Sequence, residues 1–203
     1  MVGGGVSYVG HVSSQVTSSP RQQLNERQAA TVRRLLDAGA DQLAEVGPEA
    51  LTVRQVASRA GVSTATAYTY FSSKSHLLAE LFHRSLLEDA PAVPAGGSPT
   101  ARVQSVTRAL TDLCERNPHL AAGATLALLG SDPDVARLRL RIGGAFVDRF
   151  RAALGDAVTP ELVDALVLAF SGALLQAGMG LITYADLGDR LDTVVATILR
   201  GNT

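Results

Sequence analysis

Between Leu51 and His76 the chain carries Arg54, Arg59 and Lys74 and neither Asp nor Glu, inside a protein whose formal net charge is −1. Among these cations stand Thr52, Ser63, Thr64, Thr66, Tyr68, Thr69 and Tyr70. Compact hydroxyl groups of this kind can reach phosphate oxygens, or base edges in a major groove about 12 Å wide. Lys74 follows Ser73 at the start of a helical period, where free backbone N–H groups also favour an anion. Bond-making chemistry finds no comparable set. Gly-x-Ser-x-Gly, His-Glu-x-x-His, a phosphate-binding loop and Gly-x-Gly-x-x-Gly are all missing from the sequence. One cysteine, Cys114, can make neither an internal disulfide nor a zinc cluster by itself. No catalytic residue, metal or cofactor is expected. A solvated surface around a capped turn is the plain alternative for the cationic segment.

The elements that position these residues are helices. Val32, Leu35, Leu36, Ala40 and Leu43 follow the 3–4 spacing of one helix face, and Gly47-Pro48 ends it. Thr52-Val53-Arg54-Gln55 is a capping box that opens a short helix to about Arg59. Gly61 breaks that helix, Ser63 caps a third helix to about Tyr70, and Ser73 caps a fourth with Leu77, Leu78, Leu81 and Phe82 on its apolar face. Two short helices joined by Ala60-Gly61-Val62 form a helix-turn-helix. Pro91, Pro94, Gly96, Gly97 and Pro99 make a loop, and further helices are expected at about 100–116, 119–130, 132–154, 160–184 and 187–200. The fold class is all-α, about nine helices. Residues 1–26, with Gly3-Gly4-Gly5 and several serines, read as a flexible arm without a signal peptide. Residues 27–72 read as the helix-turn-helix domain and 73–203 as a second helical domain.

Residues Leu35 to Phe82 resemble the DNA-binding domain of the TetR family of transcriptional regulators. The family pattern stands here as Ala60-Gly61-Val62-Ser63, Thr66, Tyr68, Tyr70-Phe71 and Ser73-Lys74, preceded by Leu51-Thr52-Val53-Arg54-Gln55-Val56-Ala57. The resemblance implies that Thr52, Tyr70 and Lys74 hold phosphates. It also implies that Arg54, Thr64, Thr66, Tyr68 and Thr69 face the groove, with Ser63 at the start of the recognition helix. Arg21, Arg27, Arg33 and Arg34 either add phosphate or minor-groove contacts or are solvated charges. The chain departs from the family where Thr64-Ala65 replaces a common Lys-Gly, where Ala67 replaces a larger aliphatic, and where His76 stands for a common Glu.

From Ala165 to Ala185 no residue is charged, a run long enough to span a bilayer. Its Ser171, Gly172, Gln176, Gly178, Gly180 and Thr183, and the acidic flanks Asp164 and Asp186, argue instead for burial in protein and against a membrane. One side would face the domain core and the other a second copy. Gly172, Ala173, Ala177 and Gly180, with Leu191, Val195 and Ile198 of the last helix, would then form a four-helix dimer interface, as the resemblance implies. The resemblance also implies an effector cavity. Leu110, Leu113, Cys114, Leu126, Leu129, Phe146, Phe150, Phe170 and Leu174 are its apolar candidates, with Thr125, Gln176 and His119 as polar groups. Plain core packing is the alternative for each. The series Arg137, Arg139, Arg141, Arg149 and Arg151 reads as a solvated helix face. The expected protein is a cytoplasmic homodimer that binds a palindromic operator, most simply as a repressor, and is released by a small, mostly apolar effector. The fourth helix is the natural lever between the two domains. The alternatives are a helical small-molecule carrier and an effector-independent DNA-binding protein.

Overall fold

The computed structural model describes residues 20–201, which form nine α-helices and a short 3-10 turn. Residues 1–19 of the expected arm lie outside the described residues. Residues 20–26 are not arm but the first turns of α1 (Pro20–Ala50). Gly47, at φ 73° and ψ 170°, breaks α1 just before Pro48, where the sequence predicts its end.

Next come α2 (Val53–Arg59), α3 (Thr64–Tyr70) and α4 (Lys74–Glu88). The remaining helices are α5 (Pro99–Arg116), α6 (Pro118–Leu129), α7 (Pro133–Leu154), α8 (Pro160–Gly178) and α9 (Tyr184–Leu199). Four of these five open on a proline, whose missing N–H costs nothing in the first turn. The uncharged run differs from the expected single helix to residue 184. After α8, Gly180 takes φ 73°, its N–H donates to the Ala177 carbonyl, and the Leu181 N–H donates to that of Gln176. This paired reverse turn closes α8, and the Thr183 hydroxyl, accepting from the Asp186 N–H, starts α9 early.

Two hydrophobic clusters organise the helices. The first joins Leu35 and Leu43 of α1, Val56 and Ala57 of α2, Ala67 of α3, Phe71, and Leu77 and Leu81 of α4. The second takes over from Phe82 and Leu86 of α4 and continues through α5–α9. α4 therefore belongs to both cores, and no boundary at residue 73 separates them. Part of the arginine series also differs from a solvated face. Arg139 donates to the Leu128 and Gly130 carbonyls at the end of α6, and Arg149 to the Leu86 carbonyl near the end of α4, at 2.6 Å. Both satisfy carbonyls that a helix end leaves without partners. α8 is long and apolar enough to cross a membrane by length and composition, but here it packs against α6, α7 and α9.

Candidate nucleic-acid interface

The turn between α2 and α3 is built by short-range bonds. Gly61 sits at φ 65°, the Gly61 N–H donates to the Ser58 carbonyl, and the Val62 N–H donates to that of Ala57. Only a residue at ease with positive φ closes the helix this tightly. Ala57 and Ala67 are completely buried where the two helices meet, so the small Ala67 allows close approach. Thr52 caps α2: its hydroxyl accepts from the Gln55 N–H at 3.2 Å and donates to Gln55 Oε1 at 2.7 Å. Ser63 caps α3 by accepting from the Thr66 N–H at 3.0 Å, and its hydroxyl pairs with that of Thr66 at 2.8 Å.

With Ala67 turned inward, Thr64, Ala65, Tyr68 and Thr69 form the outer face of α3, and Tyr68 is 49% exposed. Not every hydroxyl there is free. Thr66 is engaged with Ser63, and Thr69 donates to the Ala65 carbonyl at 3.1 Å. Thr64, Tyr68 and Tyr70 carry no hydrogen bond among the described residues, and Arg54 on α2 is exposed and unpaired.

Two of the three cations have partners inside the protein. Arg59 donates to both carboxylate oxygens of Glu45 on α1, at 2.8 and 2.6 Å, with Asp41 at 3.7 Å. Those bonds push the Glu45 carboxyl down and the Arg59 guanidinium up. Lys74 Nζ donates to the Pro48 and Glu49 carbonyls at 3.0 and 3.1 Å, tying the start of α4 to the turn after α1. Arg27, Arg33 and Arg34 are exposed on α1.

The start of α4 is held from a distant part of the chain. Ser73 Oγ donates to Asp132 Oδ2 at 2.5 Å, and Ser72 Oγ donates to Asp134 Oδ2 at 2.6 Å. Asp132 is at the same time the N-cap of α7, accepting from the Asp134 and Val135 N–H groups. The hydrogen bond from Ser73 leads the effects that hold the Asp132 carboxyl below its ordinary value. His76 takes the place of the expected glutamate: Ser73 Oγ accepts from its backbone N–H at 2.9 Å, and its Nδ1 faces the Ser72 N–H at 3.3 Å.

Comparison with known proteins bears on this geometry. Residues 35–81 match the family model described as bacterial regulatory proteins, tetR family. An HTH-type transcriptional regulator of Mycobacterium tuberculosis is 46% identical over 180 residues, covering 87% of this chain and 84% of that protein. The chain belongs to the TetR family of transcriptional regulators. A second relative, the HTH-type transcriptional repressor KstR of Mycolicibacterium smegmatis, is 30% identical over 183 residues, covering 86% of this chain and 90% of that one. The crystal structure of a TetR transcriptional regulator from Rhodococcus sp. RHA1 superposes with a TM-score of 0.72 at 25% identity, over 85% of this chain and 96% of that one.

In this TetR-family chain the candidate cavity residues divide. Leu110, Leu113, Cys114, Phe146, Phe150 and Phe170 are buried in the core. Phe170 meets Phe146 and Phe150 edge-on, with centroids 5.1 and 5.8 Å apart, so these rings fill the space between α7 and α8. Leu174 is half-buried against them. Leu126 and Leu129 are 66% and 63% exposed and line no interior. α6 instead turns Ala121, Gly123, Ala124 and Ala127 inward. A Cβ on Gly123 would stand 3.0 Å from Leu78 and 3.1 Å from Pro48, which leaves no room for leucine on that face.

Thr125 lies beside the hydroxyl of Tyr184, which the sequence reading missed, and burial raises both that phenol and, to about 12, the Cys114 thiol. His119 is exposed in the first turn of α6. The α8–α9 candidates also divide. Gly172, Ala173 and Gln176 line an open groove floored by Leu191. Ala177 and Val195 are consumed by this chain's own core, and Ile198 is half-buried on it. Gly180 serves the turn rather than a helix contact.

Proposed function

We propose that this regulator binds a palindromic operator as a dimer and represses transcription, reading DNA with the outer face of α3. One observation carries the reading. Among the described residues, Thr64, Tyr68 and Tyr70 keep unengaged hydroxyls and Arg54 is unpaired, all on one segment with no carboxylate. Thr52, Ser63, Thr66, Thr69 and Lys74 position the two helices through the bonds given above, and Lys74 retains one donor for a phosphate. Arg33 and Arg34 on α1 supply further positive charge. Repression is supported by the name of the KstR relative.

The second copy is supported by an uncovered apolar groove of about 630 Å³ between α8 and α9, where Leu168 is 74% exposed. Two-fold pairing would give two recognition helices, and two adjacent half-sites raise affinity for a small reading head. Release by a small, mostly apolar effector completes this reading. The packed Phe146, Phe150 and Phe170 favour a second one, an effector-independent DNA-binding protein.

The test is a mobility-shift titration on the intergenic DNA beside the gene, across ionic strength. Tyr68→Ala should weaken binding with helicity unchanged. Arg54→Ala should reduce the log–log salt slope by about 1.8 for the dimer if each chain's Arg54 neutralises one phosphate. Leu168→Glu should produce a folded monomer with weak binding. Full binding by Tyr68→Ala together with Arg54→Ala would refute the assigned face.

A further inference from the structure

A cavity of about 170 Å³ opens where α1, α4 and the α5–α6 turn meet. Leu43, Leu81 and Leu120 give it apolar walls, and Arg84, Arg116 and His119 stand around it. Its lining contains no acidic residue. Arg84 is engaged outside it, donating to Asp37 Oδ1 at 2.6 Å with Glu88 at 3.8 Å. Arg116 and His119 carry no hydrogen bond or ion pair among the described residues.

Apolar space bounded by one unengaged guanidinium selects one ligand chemistry. An apolar cavity of roughly 150 Å³ admits a benzene-sized molecule. A guanidinium at the edge of such a space pairs best with a carboxylate, through charge-assisted and often paired hydrogen bonds. We propose that this cavity binds a small monocarboxylate, its short hydrocarbon tail between Leu43, Leu81 and Leu120 and its carboxylate on Arg116, with His119 beside it.

The site also has a place in the fold that matters for regulation. Leu120 packs against both hydrophobic clusters, and Leu43 and Leu81 belong to the cluster that carries α2 and α3. Occupancy therefore sets the spacing between α6 and the α1–α4 pair. That consequence, though not the binding itself, rests on the DNA-binding reading above.

Hexanoate is the probe, measured by titration calorimetry on the full chain, with hexanol as its uncharged counterpart. Saturable binding of hexanoate is expected, at least tenfold tighter than hexanol. Arg116→Gln should weaken it at least tenfold, a change equivalent to about 1.4 kcal/mol. Ala44→Leu, at a solvent-exposed lining position, should abolish it by filling the mouth, with the melting temperature confirming a folded variant. No saturable binding, equal binding of hexanol, or binding unaffected by both substitutions overturns the proposal. A mobility shift in the same samples separates the two readings: hexanoate binding with these sensitivities but no DNA shift supports the site and sinks the regulator mechanism instead.

Discussion

Asp132→Ala is the substitution that most directly probes how the helix-turn-helix segment is joined to the rest of the chain. One carboxylate does two jobs. Its Oδ1 accepts from the Asp134 N–H at 2.9 Å and caps α7, while its Oδ2 accepts from Ser73 Oγ at 2.5 Å. Loss of a helix cap costs about 1 kcal/mol. Loss of a charge-assisted hydrogen bond at a half-exposed site adds about 1 kcal/mol more. The sum, about 2 kcal/mol, lowers the melting temperature by roughly 4–8 °C in a chain of this size. Asp132→Asn retains a capping oxygen and a neutral acceptor, so its cost should be about half as large.

The pH dependence has a fixed sign. The folded-state carboxyl is held below its ordinary value by Ser73, by the N–H groups of Asp134 and Val135 and by His76. Its stabilisation is therefore complete above the unfolded value, about 4, and is lost as pH falls through the lower folded value. The difference between wild type and Asp132→Asn should be flat from pH 8 to 5 and shrink only below that range. Urea unfolding of wild type, Asp132→Ala, Ser73→Ala and the double variant checks the account. A shift below about 1 °C for Asp132→Ala, or additive effects of the two alanines, would show that the contact between α4 and α7 contributes nothing.

Two further substitutions test other parts of the fold. Gly61→Ala places a Cβ where no heavy atom lies within 4 Å, so its cost comes from φ 65° alone and should be about 1 kcal/mol, read as a melting temperature about 2–4 °C lower. His83 is buried, and that burial first, with the charge on Arg141 second and Glu80 opposing, holds its imidazole below the ordinary value. The unfolded chain therefore takes up the proton first. Stability should fall as pH drops below about 6.5, and His83→Gln should flatten that slope; an unchanged slope in urea titrations would refute the assignment.

The helix-turn-helix was legible in the sequence because its instructions are local. Thr52, Gly61, Ser63 and Ser73 each act within five residues of their own position, and the structure uses each as cap or turn. What was not legible depends on groups brought together from afar. Nothing near Asp132 in the chain signals that its carboxylate meets Ser73, nor does the Arg139 and Arg149 pattern reveal that both arginines cap carbonyls of other helices. Leu126 and Leu129 show a different limit. A leucine is ordinarily the residue that faces inward, but α6 passes so close to Leu78 and Pro48 that only its alanines and glycine fit there, which turns both leucines outward. The tyrosine of the Thr125 pair was hidden for a related reason: Tyr184 opens α9, whereas the sequence places it at the end of the helix expected at about 160–184.

These distant contacts change what the lever consists of. α7 holds α4 at both ends and between: Asp132 and Asp134 at Ser73 and Ser72, Arg141 at Glu80, and Arg149 at the Leu86 carbonyl. Phe82 and Leu86 share a core with Phe146 and Phe150 along the same line. A helix fixed at that many points does not swing alone against its neighbour, because each displacement breaks several contacts together. Any displacement of α4 would therefore have to carry α7 with it. The connections of α4 to α2 and α3 run through the Phe71–Ser73 segment, the Lys74 bonds to the turn after α1, and the packing of Leu77 and Leu81 in the cluster they share with α1, α2 and α3.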